Sequence, residues 1–510
     1  MAETTDQFDV IVVGAGNAAL VAALSAAELG ARVLVLEAAS KEDRGGNSRF
    51  SGGIFRMVHQ GLDSLRPLLA AASERWFDRV TVAPYSRETY LADWMSTSAG
   101  RSRHDLAEAV IDRSFETALW MRGQGVEWEL TGDKLIDPAK QQPGVKVALP
   151  PGGAVRALGE GVGLVHRLFA AAERSPGITI WYESPCAGLL TRGSTVQGVR
   201  VRRRDEMVEV AGTVVLASGG FESNPEMRLR YLGPGWDLVK VRGTRFNMGT
   251  MLTEALRSGA QPAGHWGGSH ASPLDAGAPA TGDLRLTDKM SRYSYPYSLL
   301  VNLRAERFLD EGEDEVWLTY AKTGRAILAE EQGLAFQIFD QKTIHLLEPR
   351  YRTGTPVTAS TLEELAALLG LPAARLVQTV SDFNRAAAGA GPAFDPFTKD
   401  GLQAVPGGQP PKSNWAQPLD RPPFVAYPVT CGITFTYGGL KVSTEAQVID
   451  TEGRPMPGLF ATGEITGDFF YYNYAAGSGL MRGAVFGRLA GSSAARAALG
   501  LADAPGEGAS

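Results

Sequence analysis

Residues 8–37 read FDVIVVGAGNAALVAALSAAELGARVLVLE and contain a complete strand–helix–strand pattern. The apolar run DVIVV predicts a buried strand, and the alanine-rich stretch after it predicts a helix that ends at Gly30. ARVLVLE predicts a second strand, which ends at Glu37. The turn Gly14-Ala-Gly16-Asn-Ala-Ala19 joins the first strand to the helix. This order predicts an α/β fold with a Rossmann-like domain at the start of the chain.

The turn has the features that a dinucleotide site requires. Gly14 permits the tight turn, Gly16 lets the backbone approach a pyrophosphate, and a small residue at 19 lets helix and strand pack closely. The helix N-terminus offers free N–H groups and a positive dipole end to phosphates. Glu37 can accept hydrogen bonds from the adenosine ribose. The predicted contacts in this unit are Gly14, Gly16, Asn17, Ala18, Glu37 and Ala38.

A second glycine-rich loop, RGGNSRFSGGIF at 44–55, decides between the two common dinucleotides. A domain for NAD alone does not need this loop, whereas an FAD site does, because the flavin end must also be cradled by backbone. The segment GEGVG at 159–163 follows no predicted strand, so a second fold for NAD(P)H is not expected. The loop therefore predicts FAD, with contacts at Gly45, Gly46, Asn47, Ser48, Ser51, Gly52 and Gly53.

Composition narrows the class of protein. A chain of 510 residues favours two domains. A formal charge of −6 argues against a nucleic-acid partner. Two distant cysteines, Cys186 and Cys431, argue against a disulfide framework, an Fe–S cluster or a cysteine-rich zinc site within this chain, and no metal site is predicted. The acidic start and the lack of a long apolar run predict a soluble, cytoplasmic protein.

Pattern changes along the chain divide it into three segments. Residues 1–240 are predicted to form the first part of the FAD-binding domain. Residues 241–436 are rich in proline, glycine and aromatic residues, and they predict an inserted α+β domain that caps the substrate site. Residues 437–510 return to the first domain with a strand pattern and a final helix, and the tail from about 503 is predicted to be disordered.

Several segments, taken in order, resemble the fumarate reductase/succinate dehydrogenase flavoprotein family of FAD-dependent oxidoreductases, and most of all its tricarballylate dehydrogenase branch. They include GAGNAAL, LEAASKEDRGGNSRFSGG, LASGGFESNPEMR, CGITFTYGGLKVSTEAQVID, LFATGEITG and YNYAAGSGLMRGAVFGR. The strand-end turn in LASGG adds the predicted FAD contacts Ala217, Ser218 and Gly219. Relatives that bind FAD covalently use a histidine in the stretch equivalent to GGNSRFSGG. None stands here, so the resemblance implies non-covalent FAD.

The resemblance also assigns contacts near the C-terminus. Gly463 and Glu464 would meet the ribityl chain of the flavin. Ser478, Gly479 and Leu480 would place a helix N-terminus near the pyrimidine of the isoalloxazine ring, where a positive helix end stabilises an anionic reduced flavin. Arg482, one turn into the same helix, is expected to pack near FAD.

The stretch FFYYNYAAGSGL at 469–480 departs from the fumarate reductase pattern. Fumarate reductases carry an arginine where this chain has Tyr474, and a histidine about where Phe435 stands. At the position of their arginine proton donor an ungapped match finds Glu315 or Val316. These differences argue against fumarate reduction. Phe469, Phe470 and Tyr471 are expected to pack, whereas Tyr474, beside the Gly/Ser run, is expected to function in the pocket.

A tyrosine at 474 resembles instead the ketosteroid dehydrogenase relatives, which desaturate a carbon–carbon bond next to a ketone. That chemistry needs a base for the α-proton, donors for the developing enolate, and flavin N5 to take a hydride from the β carbon. The candidate bases are Tyr474, Tyr320, Tyr295 and Tyr297. Arg292 and Arg245 are the predicted charges for an acidic substrate, and Arg292 is also a candidate for proton transfer.

The expected function is an FAD-dependent dehydrogenase that forms a C=C bond α,β to a carbonyl or carboxyl group of a small substrate. The family analogy suggests tricarballylate, and the tyrosines suggest a cyclic ketone or keto acid. Oxygen, a quinone or an electron-transfer protein would accept the electrons. Two alternatives stay open, namely a reductase of an activated alkene and a flavoprotein subunit that carries electrons for a membrane partner.

Overall fold

The computed structural model describes residues 8–132, 146–389 and 391–502, so the tail predicted to be disordered from about 503 lies outside the described residues. The β-strands are, in chain order, β1 (Val10–Val13), β2 (Val33–Leu36), β3 (Val80–Val82), β4 (Trp128–Leu130), β5 (Val147–Leu149), β6 (Val155–Ala157), β7 (Ile178–Trp181), β8 (Cys186–Arg192), β9 (Thr195–Arg203), β10 (Glu206–Ala211), β11 (Thr213–Leu216), β12 (Lys240–Val241), β13 (Pro262–Asp275), β14 (Leu299–Asn302), β15 (Leu334–Phe339), β16 (Val357–Ala359), β17 (Phe424–Leu440), β18 (Gln447–Ile449) and β19 (Pro455–Ala461).

The α-helices alternate with these strands. They are α1 (Asn17–Glu28), α2 (Leu62–Leu65), α3 (Arg87–Thr97), α4 (His104–Asp112), α5 (Ser114–Gly123), α6 (Glu160–Arg174), α7 (Pro225–Leu232), α8 (Thr250–Arg257), α9 (Val316–Leu328), α10 (Leu362–Leu369), α11 (Ala373–Ala387) and α12 (Ser478–Leu499). None of the helices in the described ranges combines the length and the apolar composition that crossing a bilayer requires.

The first sheet is the Rossmann-like part of the fold. Its strand order is β18-β19-β11-β1-β2-β7, and every pair is parallel except β18 with β19. Every residue of β1 and β2 is buried, as expected for strands of a parallel sheet that is covered on both faces. The strands come from both ends of the chain, so the first and last segments form one α/β unit, as the sequence predicts.

Glycines hold the last helix against the first. A Cβ on Gly487 would lie 2.8 Å from the carbonyl oxygen of Ala18, and one on Gly491 would lie 2.1 Å from that of Ala22. Side chains at these positions would push the two helices apart. The glycines therefore let α12 pack directly on α1, which brings the C-terminal residues to the dinucleotide turn.

A second sheet is formed by the part of the chain that lies, in sequence, between the two segments of the first sheet. The long strand β17 pairs with β12, β13, β15 and β16, and β14 pairs with β15. Helices α10 and α11 contribute Leu365, Leu376 and Phe383 to its own apolar core. The strands of this sheet come from nearly the same segment of the chain that the sequence predicts as the cap. The domain limits at 241 and 436 stay a prediction.

Two smaller features complete the architecture. Strands β8, β9 and β10 form an antiparallel sheet, and β4 pairs with β6. The sequence analysis was wrong that no strand precedes the GEGVG segment, because β6 ends at Ala157, just before α6. This strand pairs antiparallel with β4 and stays outside the parallel sheet, so it does not create a second Rossmann unit.

Candidate active site

A single cavity of about 400 Å³ runs between the two sheets. It begins at the ends of β1, β2 and β11, passes the N-termini of α1 and α12, and ends against side chains of the second sheet and of α9. Its volume lies in the range of small-molecule and cofactor sites.

The turn after β1 forms part of the cavity wall, and its backbone packs closely against the end of β11. Gly14 has φ +110°, and a Cβ there would lie 2.4 Å from the carbonyl oxygen of Ala217. Helix α1 begins without a side-chain cap, while the N–H of Asn17 donates to Ser48 Oγ at 2.9 Å. The uncapped helix end and the bare backbone at Gly16 suit a pyrophosphate.

Glu37 lines the cavity just after the end of β2. Its carboxylate accepts hydrogen bonds from the N–H groups of Ala39 (2.9 Å) and Gly45 (3.2 Å). Burial raises the pKa of Glu37, and these backbone donors oppose that rise. A carboxylate held in this way at the end of β2 fits the ribose of an adenosine group.

The second glycine-rich loop is tied to the capping sheet through Asn47. Asn47 Nδ2 donates to a carboxylate oxygen of Glu222 and to the carbonyl of Thr434, and its Oδ1 accepts from the N–H of Thr244 at 2.8 Å. The loop therefore fixes the cap over the cofactor region, in addition to presenting backbone to a ligand.

Two carboxyl groups meet beside this loop. Glu464 faces the cavity and accepts from the N–H of Thr436 at 2.8 Å, and Glu222 lies wholly buried behind it. Burial, followed by the charge of Glu464, raises the pKa of Glu222 well above its usual range. This shift favours the protonated form of Glu222 beside Glu464.

The predicted FAD contacts lie along this cavity, and their binding roles remain predictions. The residues that line it are Gly14, Gly16, Asn17, Ala18, Glu37, Ala38, Gly46, Asn47, Ser48, Ser51, Gly52, Gly53, Ala217, Ser218, Gly219, Gly463, Glu464, Gly479 and Leu480. Gly45 stands behind the lining and donates to Glu37, whereas Ser478 is buried and its Oγ accepts from Tyr90 at 3.1 Å. The glycine-lined wall and the two uncapped helix ends fit FAD.

Tyr474 and Tyr320, which are far apart in sequence, meet at the end of the cavity. Their hydroxyl oxygens are 2.6 Å apart and share a hydrogen bond. The N–H of Ala476 donates to the carbonyl of Trp317 at 3.0 Å, which ties the tyrosine segment to the start of α9. Gly324 lets α9 approach β13, because a Cβ there would lie 2.5 Å from the Ala271 backbone. These contacts hold the two hydroxyls together.

Both phenols are held in the neutral form. Burial raises the pKa of Tyr474 to about 12, while the hydrogen bond from Tyr320 and then the charge of Arg242 oppose the rise. Burial, and next the charge of Tyr474, raise the pKa of Tyr320 well above its usual value. Tyr474 is therefore the more acidic member of the pair.

The other aromatic residues of the 469–480 stretch pack outside the cavity. Phe470 stacks on Trp94 with ring centroids 5.1 Å apart, and Phe469 meets Phe486 edge to face at 4.9 Å. Arg482 lines the cavity between these rings, and burial lowers its pKa to about 10. This arrangement agrees with the packing expected for Phe469, Phe470 and Arg482.

Three predicted site residues do not line this cavity. Arg292 is wholly buried and its guanidinium bonds Asp275 Oδ2 at 2.8 Å and 3.1 Å. The hydroxyl of Tyr295 bonds Thr319 at 2.5 Å, and Tyr297 lines a smaller neighbouring cavity. Their side chains contact structural partners and do not face the cofactor region. Arg245 does line the large cavity, but its side chain is 68% exposed.

A group of charges that the sequence analysis missed lines the same cavity. Arg242 and Arg350 both pair with Asp288, which bonds Arg242 through Oδ1 and Arg350 through Oδ2. Tyr293 lies between these arginines and Tyr320, with its ring 4.7 Å from that of Tyr320. Arg242 stands in KVRGTRFNMGT, another segment that resembles the fumarate reductase flavoprotein family, so this motif was the available signal.

His270 is a second missed residue. Strand pairing sets it opposite Phe435, and its ring lies 4.9 Å from Tyr320 and 5.1 Å from Tyr474. It is fully buried, and neither ring nitrogen has a hydrogen-bond partner among the described residues. Burial lowers its pKa well below the usual value, so the ring is neutral. Only the pairing of β13 with β17 reveals its position.

Comparison with known proteins places this geometry in a family. A family model described as an FAD binding domain matches residues 9–480. An NADH:acrylate oxidoreductase of Vibrio harveyi is 26% identical over 543 aligned residues, covering 95% of this chain and 50% of that protein. A 4-oxocyclohex-2-ene-1-carboxylate 5-dehydrogenase of Sinomonas cyclohexanicum is 30% identical over 358 residues, covering 63% of this chain and 58% of that relative. The chain thus spans little more than half the length of these relatives.

Solved structures agree with the sequence comparison. The 3-ketosteroid-Δ4-(5α)-dehydrogenase of Rhodococcus jostii RHA1, in complex with 4-androstene-3,17-dione, has a TM-score of 0.68 and 25% identity, covering 97% of this chain and 98% of that chain. Proteins named as fumarate reductases and a urocanate reductase are also among the curated relatives. The chain belongs to the FAD binding domain family of fumarate reductase-type flavoproteins and is an FAD-dependent oxidoreductase.

Proposed function

We propose that this oxidoreductase is a dehydrogenase that introduces a C=C bond α,β to the carbonyl group of a small cyclic ketone. The observation that carries the proposal is the hydrogen bond of 2.6 Å between Tyr474 and Tyr320 at the end of the cofactor cavity. A pair of phenols can move one proton at a time between a substrate carbon and solvent, which α-proton abstraction requires.

Tyr474 is the proposed base. In its phenolate form it takes the α-proton of the substrate, and Tyr320 donates a hydrogen bond to the same oxygen. Tyr320 is the less readily ionised member of this pair, because burial and then the charge of Tyr474 raise its pKa well above the usual value. Arg242 also favours the phenolate form of Tyr474. The pair therefore has one member that accepts the proton and one that stabilises the accepting form.

The N-terminus of α12 is proposed to stabilise the enolate. The helix begins without a side-chain cap, and a Cβ on its second residue, Gly479, would lie 3.6 Å from the rings of Tyr474 and Phe435. Free N–H groups and the positive dipole end therefore adjoin the proposed base. Bound FAD would supply the two-electron acceptor, which takes the β-hydrogen as a hydride at N5.

The reaction requires an external oxidant, which accepts the two electrons removed from the substrate. One proton leaves the α carbon for Tyr474, and a hydride leaves the β carbon, so that the saturated ketone becomes an enone. Oxygen, a quinone or an electron-transfer protein is proposed to reoxidise the cofactor. The relative from Sinomonas cyclohexanicum, named as a dehydrogenase of an oxocyclohexene carboxylate, supports this substrate class.

Anaerobic mixing tests the proposal. The holoenzyme is mixed with cyclohexanone, 4-oxocyclohexane-1-carboxylate, a saturated steroid ketone and tricarballylate, and the visible flavin absorbance is followed. We expect a cyclic ketone or keto acid to bleach the flavin and to yield the enone. Bleaching by tricarballylate alone would contradict the tyrosine mechanism, since that substrate has no ketone.

The reverse reaction is the second candidate, because the relative from Vibrio harveyi is named as an acrylate oxidoreductase. A reductase would be reoxidised by an activated alkene faster than it is reduced by the saturated product. The test therefore includes the chemically reduced holoenzyme, mixed with the corresponding enone and with acrylate. Rapid reoxidation by these alkenes, with no bleaching by any saturated ketone, would favour the reductase.

A further inference from the structure

Two arginines reach the cavity with part of each guanidinium unused. In Arg242 the Nε donates to Thr434 Oγ1 at 2.9 Å and the Nη1 pairs with Asp288. In Arg350 the Nη1 pairs with Asp288 at 3.0 Å and the Nε pairs with Glu348 at 2.9 Å. Neither Nη2 has a partner among the described residues. Asp288 therefore holds two guanidinium groups side by side, and each keeps one terminal nitrogen for a ligand.

A third donor stands beside them. Tyr293 is only 5% exposed and lines the cavity, and its hydroxyl, which lies near that of Ser272, meets hydrogen-bond geometry with none of the described residues. The guanidinium of Arg350 lies 4.7 Å from the centre of its ring. A buried hydroxyl without a partner is uncommon and costs stability, so a ligand acceptor is the natural explanation.

We propose that Arg242, Arg350 and Tyr293 bind a carboxylate of the substrate, which makes the substrate a cyclic keto acid and excludes a neutral ketone. The inference rests on the proposed function, which assigns the ketone to Tyr474 and Tyr320. The two guanidinium groups offer only donors, the Tyr293 hydroxyl can donate as well, and a carboxylate offers only acceptors. Charge-assisted hydrogen bonds from guanidinium groups are the strongest that a carboxylate receives.

The carboxylate and ketone sites adjoin within one cavity. The rings of Tyr293 and Tyr320 are in contact, with centroids 4.7 Å apart, and both residues line the cavity. The inferred substrate therefore carries its carboxylate and its ketone on one small skeleton.

Calorimetric titration of the holoenzyme tests the carboxylate site without turnover. The probes are cyclohexanecarboxylate, which has no ketone, and its methyl ester, which has the same ring without the charge. We expect the carboxylate to bind at least tenfold more tightly than the ester. Tyr293→Phe should weaken the carboxylate about 10- to 100-fold, because only the hydroxyl is lost. Arg350→Lys, which keeps the charge but loses the planar pair of donors, should also weaken it.

Tyr427→Phe is the matched control. Tyr427 lies in strand β17 of the second sheet, is 7% exposed, and lies outside the cavity. Its hydroxyl forms no hydrogen bond within the described part of the chain. The Tyr427→Phe variant should bind cyclohexanecarboxylate as tightly as the natural protein does. FAD content and melting temperature confirm that each variant is folded.

The outcomes separate this inference from the proposed function. Equal affinity for the acid and its ester, or equal affinity in Tyr293→Phe and Tyr427→Phe, would overturn the carboxylate site even if neutral ketones bleach the flavin. Carboxylate binding that depends on Tyr293, with no bleaching by any ketone, would support the site and overturn the dehydrogenase proposal instead.

Discussion

Tyr474→Phe should separate chemistry from folding. The side chain of Tyr474 is 7% exposed, and its ring packs against Phe435 and Phe470 with centroids 5.2 Å away in each case. Phenylalanine keeps these contacts and removes only the hydroxyl. The hydrogen bond to Tyr320 is lost, which should cost about 1 kcal/mol of unfolding free energy, and up to about 3 kcal/mol if the Tyr320 hydroxyl stays unpaired.

The effect on the reaction should be larger. Removal of one positioned acid–base group typically costs about 10²- to 10⁴-fold in rate. This corresponds to about 2.7–5.4 kcal/mol of transition-state free energy. Anaerobic stopped-flow measurement of flavin reduction by the best saturated substrate gives the rate. FAD content and melting temperature, measured on the same preparation, give the cost to the fold.

Two further variants complete this experiment. Tyr320→Phe removes the partner hydroxyl and should also slow flavin reduction, although it leaves Tyr474 in place. Tyr427→Phe removes a hydroxyl that lies outside the cavity, from a residue that is 7% exposed, and should leave the rate unchanged. If Tyr474→Phe and Tyr320→Phe both stay within about twofold of the natural protein, the tyrosine mechanism is refuted.

Five other predictions concern the same cavity and its cofactor. Because the active form of Tyr474 is the phenolate and burial raises its pKa to about 12, the rate of flavin reduction should rise about tenfold per pH unit between about pH 7 and 9, and a flat profile would contradict this. The same raised pKa makes the neutral phenol stabilise the fold up to its ordinary pKa of 10, so thermal unfolding should show stability falling between pH 10 and 12. Gly16→Val should fold but purify without FAD, since its Cβ would lie 3.3 Å from Ser48 Oγ and its methyl groups would occupy the phosphate position; a yellow protein would disprove this. Acid should release FAD from the denatured protein into the supernatant, and a yellow pellet would overturn this expectation. Fumarate should reoxidise the reduced flavin poorly, because Tyr474 and Phe435 replace the charged residues that bind fumarate in fumarate reductases; fast reoxidation would overturn this expectation.

The cofactor site could be predicted because its determinants are local. Gly14, Gly16 and Glu37 stand within one strand–helix–strand unit, and the turn between strand and helix fixes where its N–H groups point. Such a site uses backbone more than side chains, so neighbouring residues are enough to define it. The second glycine-rich loop carries a similar local signal, although its link to Thr244 and Glu222 through Asn47 required the folded chain.

The substrate end was harder, because its side chains come from separate elements. Tyr474 and Tyr320 were identified individually, but their hydrogen bond depends on α9 packing across β13. The sequence singles out Arg292 and Arg245 as charges for an acidic substrate, and nothing in it points to Arg350. Only the fold shows that Arg292 is taken by Asp275 while Arg350 opens on the cavity.

The sequence by itself determined the α/β class and FAD as the cofactor, and its resemblance to fumarate reductases singled out Tyr474. The class and the cofactor depend on short motifs whose local geometry has few alternatives. Tertiary structure alone decided which charges line the cavity. His270 meets Phe435 through strand pairing, and Arg242 meets Arg350 through Asp288, over separations that no local pattern encodes. The physical reason is that burial and ion pairing are settled by packing between distant elements, whereas a glycine turn is settled by its own backbone.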